Sequence, residues 1–253
     1  MLTNQEISLI KELTVSEFKL RYKNSVLGFF WSLLKPLAML TTLYIVFRIF
    51  IKIDSEQYSL FLLLGIILWN FFSESTVFGL NSIVSKSGIV KKMNFKYGIL
   101  IISACLVSFL SFLLNLIVFT IFLLFIKGLP SLISLFIIFP VMALFLLSLG
   151  ASFALATFFI KYRDIGYLWD IILQIGFWIS PIAYPIEIIP AKYLNIYMLN
   201  PLANLITISR GIVLDNKLPN LEMILTSFIT LLIILTLGYA IYKFKHRKFI
   251  EYI

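Results

Sequence analysis

The sequence predicts an all-α integral membrane protein of six transmembrane helices, and three observations lead to that class. Tyr97–Ile126 and Gly128–Ile160 contain no Asp, Glu, Lys or Arg, and Met223–Tyr242 adds 20 uncharged residues, which at about 1.5 Å each match the roughly 30 Å hydrocarbon core of a bilayer. The composition is 61% hydrophobic and only 13% charged, with a mean hydropathy of +1.02; a soluble domain carries about 25% charged residues. The cations are also segregated along the chain. Fourteen Lys and Arg fall before span one, between spans two and three, after span four and after span six, against six in the opposite connections. By the positive-inside rule both termini are then cytoplasmic, and the net charge of +9 reflects topology and anionic headgroups rather than nucleic acid.

The elements follow in order. Met1–Ser25 is polar and amphipathic without a short apolar core and small-residue cleavage site, so it is not read as a signal peptide. Thr3-Asn4-Gln5-Glu6 and Thr14-Val15-Ser16-Glu17 both match the capping box and predict two short helices. Val15, Phe18, Tyr22, Val26 and Phe29 recur every three or four residues and predict a helix lying on the cytoplasmic membrane surface, either as a plain anchor or as an interface for a partner. Pro36–Phe47, extended through Phe29 and Phe50, is span one. Tyr58–Ser73, continued past Glu74, is span two. The loop Asn81–Gly98 mixes four lysines with Ile89, Val90, Met93 and Phe95, apolar residues that need either a headgroup layer or another protein to cover them.

Tyr97–Ile126, Gly128–Ile160 and Ile165–Ala183, interrupted only by Asp170, are spans three to five. Cys105 stands alone inside span three and reads as a small hydrophobe. Ser180-Pro181-Ile182-Ala183-Tyr184-Pro185 must end any helix it enters, because two prolines remove donors and clash with preceding carbonyls. The chain stays apolar through Ile186–Leu199 and restarts at Asn200-Pro201, an N-cap followed by proline at the first helical position, with Gly211 suiting a stop after Arg210. Such a region predicts re-entrant external hairpin helices between spans five and six, since irregular backbone at membrane depth is tolerated only within protein or along a pathway; the alternative is an interfacial helix pair with no gating role. A single membrane domain, 1–253, follows, with 1–28 as cytoplasmic amphipathic interface helices and 29–253 as the six-span region.

Chemistry is sparse. No G-x-x-x-x-G-K-S/T occurs, so the chain has no usual loop for nucleotide phosphates and energy has to come from elsewhere. No paired-carboxylate or His-and-carboxylate group near the midplane suggests an enzyme. The ionisable residues within the spans are Lys35, Glu74 and Asp170, all towards cytoplasmic ends and none placed like a midplane proton relay; Lys35 reads either as a structural partner of Glu74 or Asp170 or as a functional cation. Metal and cofactor sites are not expected.

Lys19-x-Arg21-Tyr22-x-x-Ser25-x-Leu27-Gly28-x-x-Trp31-x-x-x-x-Pro36, Tyr162-Arg163-Asp164-Ile165, Ser180-Pro181-Ile182-x-Tyr184, and Asn200-Pro201-Leu202 with Arg210 behind it together resemble the permease subunits of type-2 ABC exporters. Within them they are similar to the subgroup that exports polysaccharides and teichoic acids. The resemblance implies a homodimer in the bacterial inner membrane, two copies of a separate ATPase subunit that bind ATP and Mg, and a lipid-linked polysaccharide as substrate, such as an O-antigen, capsule or teichoic acid. It implies that Phe18, Arg21 and Tyr22, with Ser87, Gly88, Ile89, Val90, Lys91, Lys92, Met93 and Asn94, receive the ATPase's movement. Pro181, Pro185, Asn200, Pro201 and Arg210 would act as an external gate, and Arg163 and Asp164 as a cytoplasmic motif. Where the family usually has proline within Met93–Leu100, this chain reads Phe95-Lys96-Tyr97-Gly98.

Aromatic residues make up 16% of the chain, more than interfacial belts need, and their faces suit sugar rings that must slide. Trp31, Tyr44, Trp69, Phe177, Trp178 and Tyr184 are candidates for such a lining, although for any one of them the first reading is a lipid-facing or packed side chain. The competing readings are a type-2 ABC exporter of a drug or lipid and, in a different class, a passive channel or assembly protein without an ATPase.

Overall fold

In a computed structural model, residues 3–23, 28, 30–52, 57–90, 96–246 and 249 are described. Helix α1 spans Asn4–Tyr22; α2, Phe30–Tyr44, passes into a π-helical segment, Ile45–Phe50. Helix α3 spans Tyr58–Asn81 and is followed by a single turn, α4, at Ser87–Val90. The long helices α5, Gly98–Ile126, and α6, Ile138–Lys161, are joined by a 3-10 segment. Then come α7, Ile165–Ile179, the short α8, Ala191–Tyr197, α9, Pro201–Val213, and α10, Leu221–Lys245. Among the described residues there is no strand.

Five helices are long and apolar enough to cross a membrane: Phe30–Phe50, α3, α5, Leu132–Lys161 and α10. The expected fifth span, Ile165–Ala183, is shorter than its apolar run. Ser180 precedes Pro181, a position that disfavours helix; its backbone is extended, and α7 ends at Ile179. Its 15 residues cover about 22 Å, short of the hydrocarbon core.

Helix α3 is the centre of the bundle, buried along most of its length and packed by α2, α5, α6, α7 and α9. Lipid is as apolar as leucine, so helices here associate by close backbone approach at small residues. Gly79 faces Ser152 of α6 with no room for a methyl between them, and Gly150 of α6 lies directly against Gly238 of α10. Ser152 also donates to the Ser75 carbonyl at 3.3 Å, and the buried Cys105 thiol lies 3.4 Å from the same hydroxyl. Cys105 thus behaves as the small core residue expected.

Two local expectations are corrected. Thr3 and Glu6 do form the capping box, but Thr14 donates to the Ile10 carbonyl at 2.7 Å instead of capping, and one 19-residue helix replaces two short ones. Gly211 lies inside α9, which runs on to Val213. The break comes later, at Asn216, where φ is +52°.

Gly238→Leu should collide with the Gly150 carbonyl and lower the yield and thermal midpoint of detergent-purified protein, whereas Gly88→Ala, with nothing within 4 Å among the described residues, should change neither. Matching melting curves for the two variants would contradict the α6–α10 contact.

Candidate functional site

Two assemblies of the predicted functional residues stand out, one at each end of the bundle. At the Pro181 end, the three motif fragments Ser180–Tyr184, Asn200–Leu202 and Arg210 meet although they lie up to 30 residues apart. Arg210 is only 6% exposed and, among the described residues, faces no carboxylate within ion-pair distance. Its Nε and Nη2 donate to the Phe61 carbonyl at 3.2 and 2.9 Å, Nη2 donates to the Ile182 carbonyl at 2.9 Å, and Nη1 donates to the Pro181 carbonyl. The guanidinium also lies over the Phe61 ring, 3.3 Å from its centroid. Carbonyls at a proline break lose helical donors, and a fixed fork of five N–H groups supplies replacements for several of them at once. Gly65 makes the space, since a Cβ there would meet Arg210 at 2.5 Å.

Neighbouring contacts complete this knot. Tyr58 donates to the Ala183 carbonyl. The Tyr184 hydroxyl lies 2.9 and 3.0 Å from the Trp178 and Ile179 carbonyls and 3.3 Å from the Tyr197 hydroxyl. Asn200 caps α9 by accepting from the Leu202 N–H at 3.1 Å, and its amide reaches Ser180 Oγ at 3.4 Å; Pro201 occupies the first helical position. Pro185 opens a 3-10 turn at Ile186–Ile188. Three anchors here were not foreseen. Lys127 donates to the Val213 and Leu214 carbonyls at the end of α9, Ser131 donates to Asn216 at 2.8 Å, and Asn204 ties α9 to Thr226 of α10 at 2.8 Å. A lone lysine just before Gly128 was the only sequence signal for any of them.

At the other end, α1 differs from the expected surface helix. Glu6 pairs with Lys96 at 2.9 Å just before α5, while Arg21 donates to Ser111 at 3.3 Å within α5. Both intervals are 15 residues, so α1 runs alongside the first half of α5, with Leu13 packed among the core residues between. The packed face is Ile10, Thr14, Glu17 and Arg21, with Val15 exposed. Arg21 forms an ion pair with Glu74 of α3 and lies 5.0 Å from the Phe78 ring; Lys86 pairs with Glu17. Burial pushes the Lys86 ammonium down to about 8. The partner expected for Glu74, Lys35, lines the same small cavity but is not the residue bonded to it.

The remaining candidates scatter. Phe18 is half-buried on α1, Ser87 is half-buried and Gly88 exposed on α4. The side chains of Tyr22, Ile89 and Val90, and all of Lys91, Lys92, Met93 and Asn94, lie outside the described residues, as do Ser25 and Leu27. Trp69 is 6% exposed and meets Phe177 edge-on at 5.9 Å, so both are packed in the core of this chain. Trp31 and Trp178 are 59% and 58% exposed. Tyr44 lies 6.3 Å from the Tyr58 ring. Arg163 stacks 5.2 Å from Phe159, and Asp164 precedes α7 without capping it.

Residues 8–214 match the family described as ABC-2 type transporter. The chain is 30% identical over 242 residues to the O-antigen export system permease protein RfbA of Klebsiella pneumoniae, covering 94% of this chain and 93% of that one. It is 24% identical over 245 residues to a protein of the same description from Myxococcus xanthus, covering 96% and 94%.

Arg210→Gln should leave buried carbonyls unpaired and cost about 3 kcal/mol or more, read as a large fall in thermal midpoint, while Lys127→Gln at the rim should cost about 1 kcal/mol. Arg21→Gln should leave the bundle folded but speed hydrogen exchange of α1 amides; unchanged exchange would show that the ion pair does not hold α1.

Proposed function

Because this chain belongs to the ABC-2 type transporter family, we propose that it is the permease subunit of an exporter carrying a lipid-linked polysaccharide of O-antigen type across the bacterial inner membrane. The observation that carries this reading is the likeness, along nearly the whole of both chains, to permeases named for O-antigen export. Five helices of spanning length and composition agree with a multi-pass protein. Nucleotide is bound and hydrolysed, with its Mg, by a separate ATPase subunit, and two permease copies form the pathway.

In this reading α7 makes the sixth crossing together with the chain through Ala183, and both termini are cytoplasmic. The break at Pro181 and helix α9 form re-entrant elements at the external end. Support comes from α9, which is apolar, buried against α3, α6 and α10, and too short to cross. The knot around Arg210 is the closed external gate. The ATPase presses on α1 and on the segment Ser87–Asn94. Because α1 is tied by side chains to α3 and α5, a push on it moves those two spans as well.

The test is affinity purification of the tagged chain from its host in mild detergent, with ATP hydrolysis measured. Recovery of a stoichiometric ATPase subunit and loss of surface glycan on deletion of the gene are the expected results; the chain recovered alone, with surface glycan intact in the deletion strain, would reject the reading. Tyr184→Ala should lower export several-fold without loss of the complex, and normal export by that variant would reject the gate.

A further inference from the structure

The start of α5 is capped from another helix. The first N–H groups of an α-helix have no carbonyl behind them in their own helix. In α5 the Ile99 and Leu100 N–H groups donate back to the Lys96 and Tyr97 carbonyls at 3.0 Å each, and Tyr97, the residue before the helix, supplies no side-chain cap. The buried Gly98 N–H donates instead to the Tyr242 hydroxyl near the end of α10, 144 residues away, at 2.7 Å. Tyr242 is itself buried, with its ring 5.1 Å from that of Phe153 on α6 and stacked on His246. A Cβ at residue 98 would lie 3.2 Å from the hydroxyl, so glycine lets the hydroxyl reach the backbone.

This bond belongs to a second buried cluster, separate from the one around α3, in which Ile83, Leu100, Phe153, Ile160 and Tyr242 pack together. In sequence the segment Ser87–Asn94 falls between Ile83 and Gly98; the first is fully buried in this cluster and the second is bonded to a member of it. Helices α6 and α10, which carry Phe153 and Tyr242, also meet backbone to backbone at Gly150 and Gly238, so a displacement of one carries the other. The polar ties of α1 reach α3 and α5. The Tyr242 bond reaches the other two helices.

We propose that Tyr242 is a positioning residue for coupling: its hydroxyl holds the start of α5, where the segment pressed by the ATPase rejoins a span, to α10, so that each stroke moves α10 and α6 together with α5. A tyrosine suits the task, since its ring is rigid and seated and its hydroxyl pulls on main chain rather than on a flexible side chain. The proposal rests on the export reading above.

The experiment compares wild type with Tyr242→Phe, with Tyr242→Phe/Gly98→Ala and, as a control, with Tyr239→Phe, an exposed tyrosine three residues earlier. Hydrogen exchange of the full chain in detergent reads the bond; ATP hydrolysis by the complex and surface glycan read the coupling. In Tyr242→Phe the amides of Gly98, Ile99 and Leu100 should exchange at least about threefold faster, the worth of one hydrogen bond, and glycan exported per ATP hydrolysed should fall several-fold while hydrolysis persists. The double variant fills the vacated space with a methyl and a better helix former, so its thermal midpoint should recover while its export per ATP stays low. Tyr239→Phe should match wild type throughout. Unchanged exchange in Tyr242→Phe overturns the bond. Hydrolysis and export falling in proportion, export per ATP unchanged, or its recovery in the double variant overturns the coupling role and leaves Tyr242 as packing. Wild-type chain recovered without an ATPase rejects the export reading, and the coupling role with it, in a sample that contains no substitution.

Discussion

Hydrocarbon supplies no hydrogen bonds, so any break in a membrane helix must have its backbone groups paired by the protein itself. Much of this structure's Pro181 end follows from that constraint. The prolines at 181 and 185 stop α7 short, and the carbonyls at Pro181 and Ile182 are taken up by Arg210 together with that of Phe61. Satisfying them with one side chain fixes α9 against α3, requires glycine at 65, and brings the tyrosines at 58 and 184 onto neighbouring carbonyls. Among the described residues the charge has no carboxylate within ion-pair distance. Carbonyl dipoles and the Phe61 ring surround it, an arrangement that holds a buried cation only while every donor is occupied.

The opposite end is joined by charge as well as by apolar packing at Ile10 and Leu13. Helix α1 meets the bundle through Glu6, Glu17 and Arg21, paired to Lys96, Lys86 and Glu74 on three different segments. Ion pairs of partly exposed groups are individually weak, so α1 is a strap held at several points. Between the two ends, contacts at Gly79, Ser152, Gly150 and Gly238 keep α3, α6 and α10 at close distance, which suits a rigid centre between two polar ends.

The packed face of α1 explains a failure of pattern reading. Periodicity selected the apolar set Val15, Phe18 and Tyr22, because hydrophobic spacing assumes that the buried face is apolar. The face that packs carries a threonine that bonds back within its own helix, and a glutamate and an arginine that are half-buried because each finds a partner in a remote segment. The second capping box failed for a related reason: Thr14 and Glu17 have the right spacing, yet Thr14 bonds back to Ile10 and Glu17 is engaged by Lys86. Likewise the aromatic candidates were chosen by residue type, and type alone does not separate Trp69 and Phe177, which pack on each other, from Trp31 and Trp178, which are exposed.

Read alone, the sequence determined the solvent, the helical class, four of the spans nearly to their ends, the capping box at Thr3, the cap at Asn200 and the family. These depend on composition, runs of uncharged residues and short motifs, which are local. Only the tertiary structure decided that α1 runs beside α5, that Glu74 pairs with Arg21 and not Lys35, and that Arg210 closes the Pro181 break. Each of these is a choice among partners between 28 and 149 residues apart or more than one candidate cation, and nothing in local sequence ranks such partners. Their selection rests on which polar group can be brought within hydrogen-bonding reach once the helices have packed.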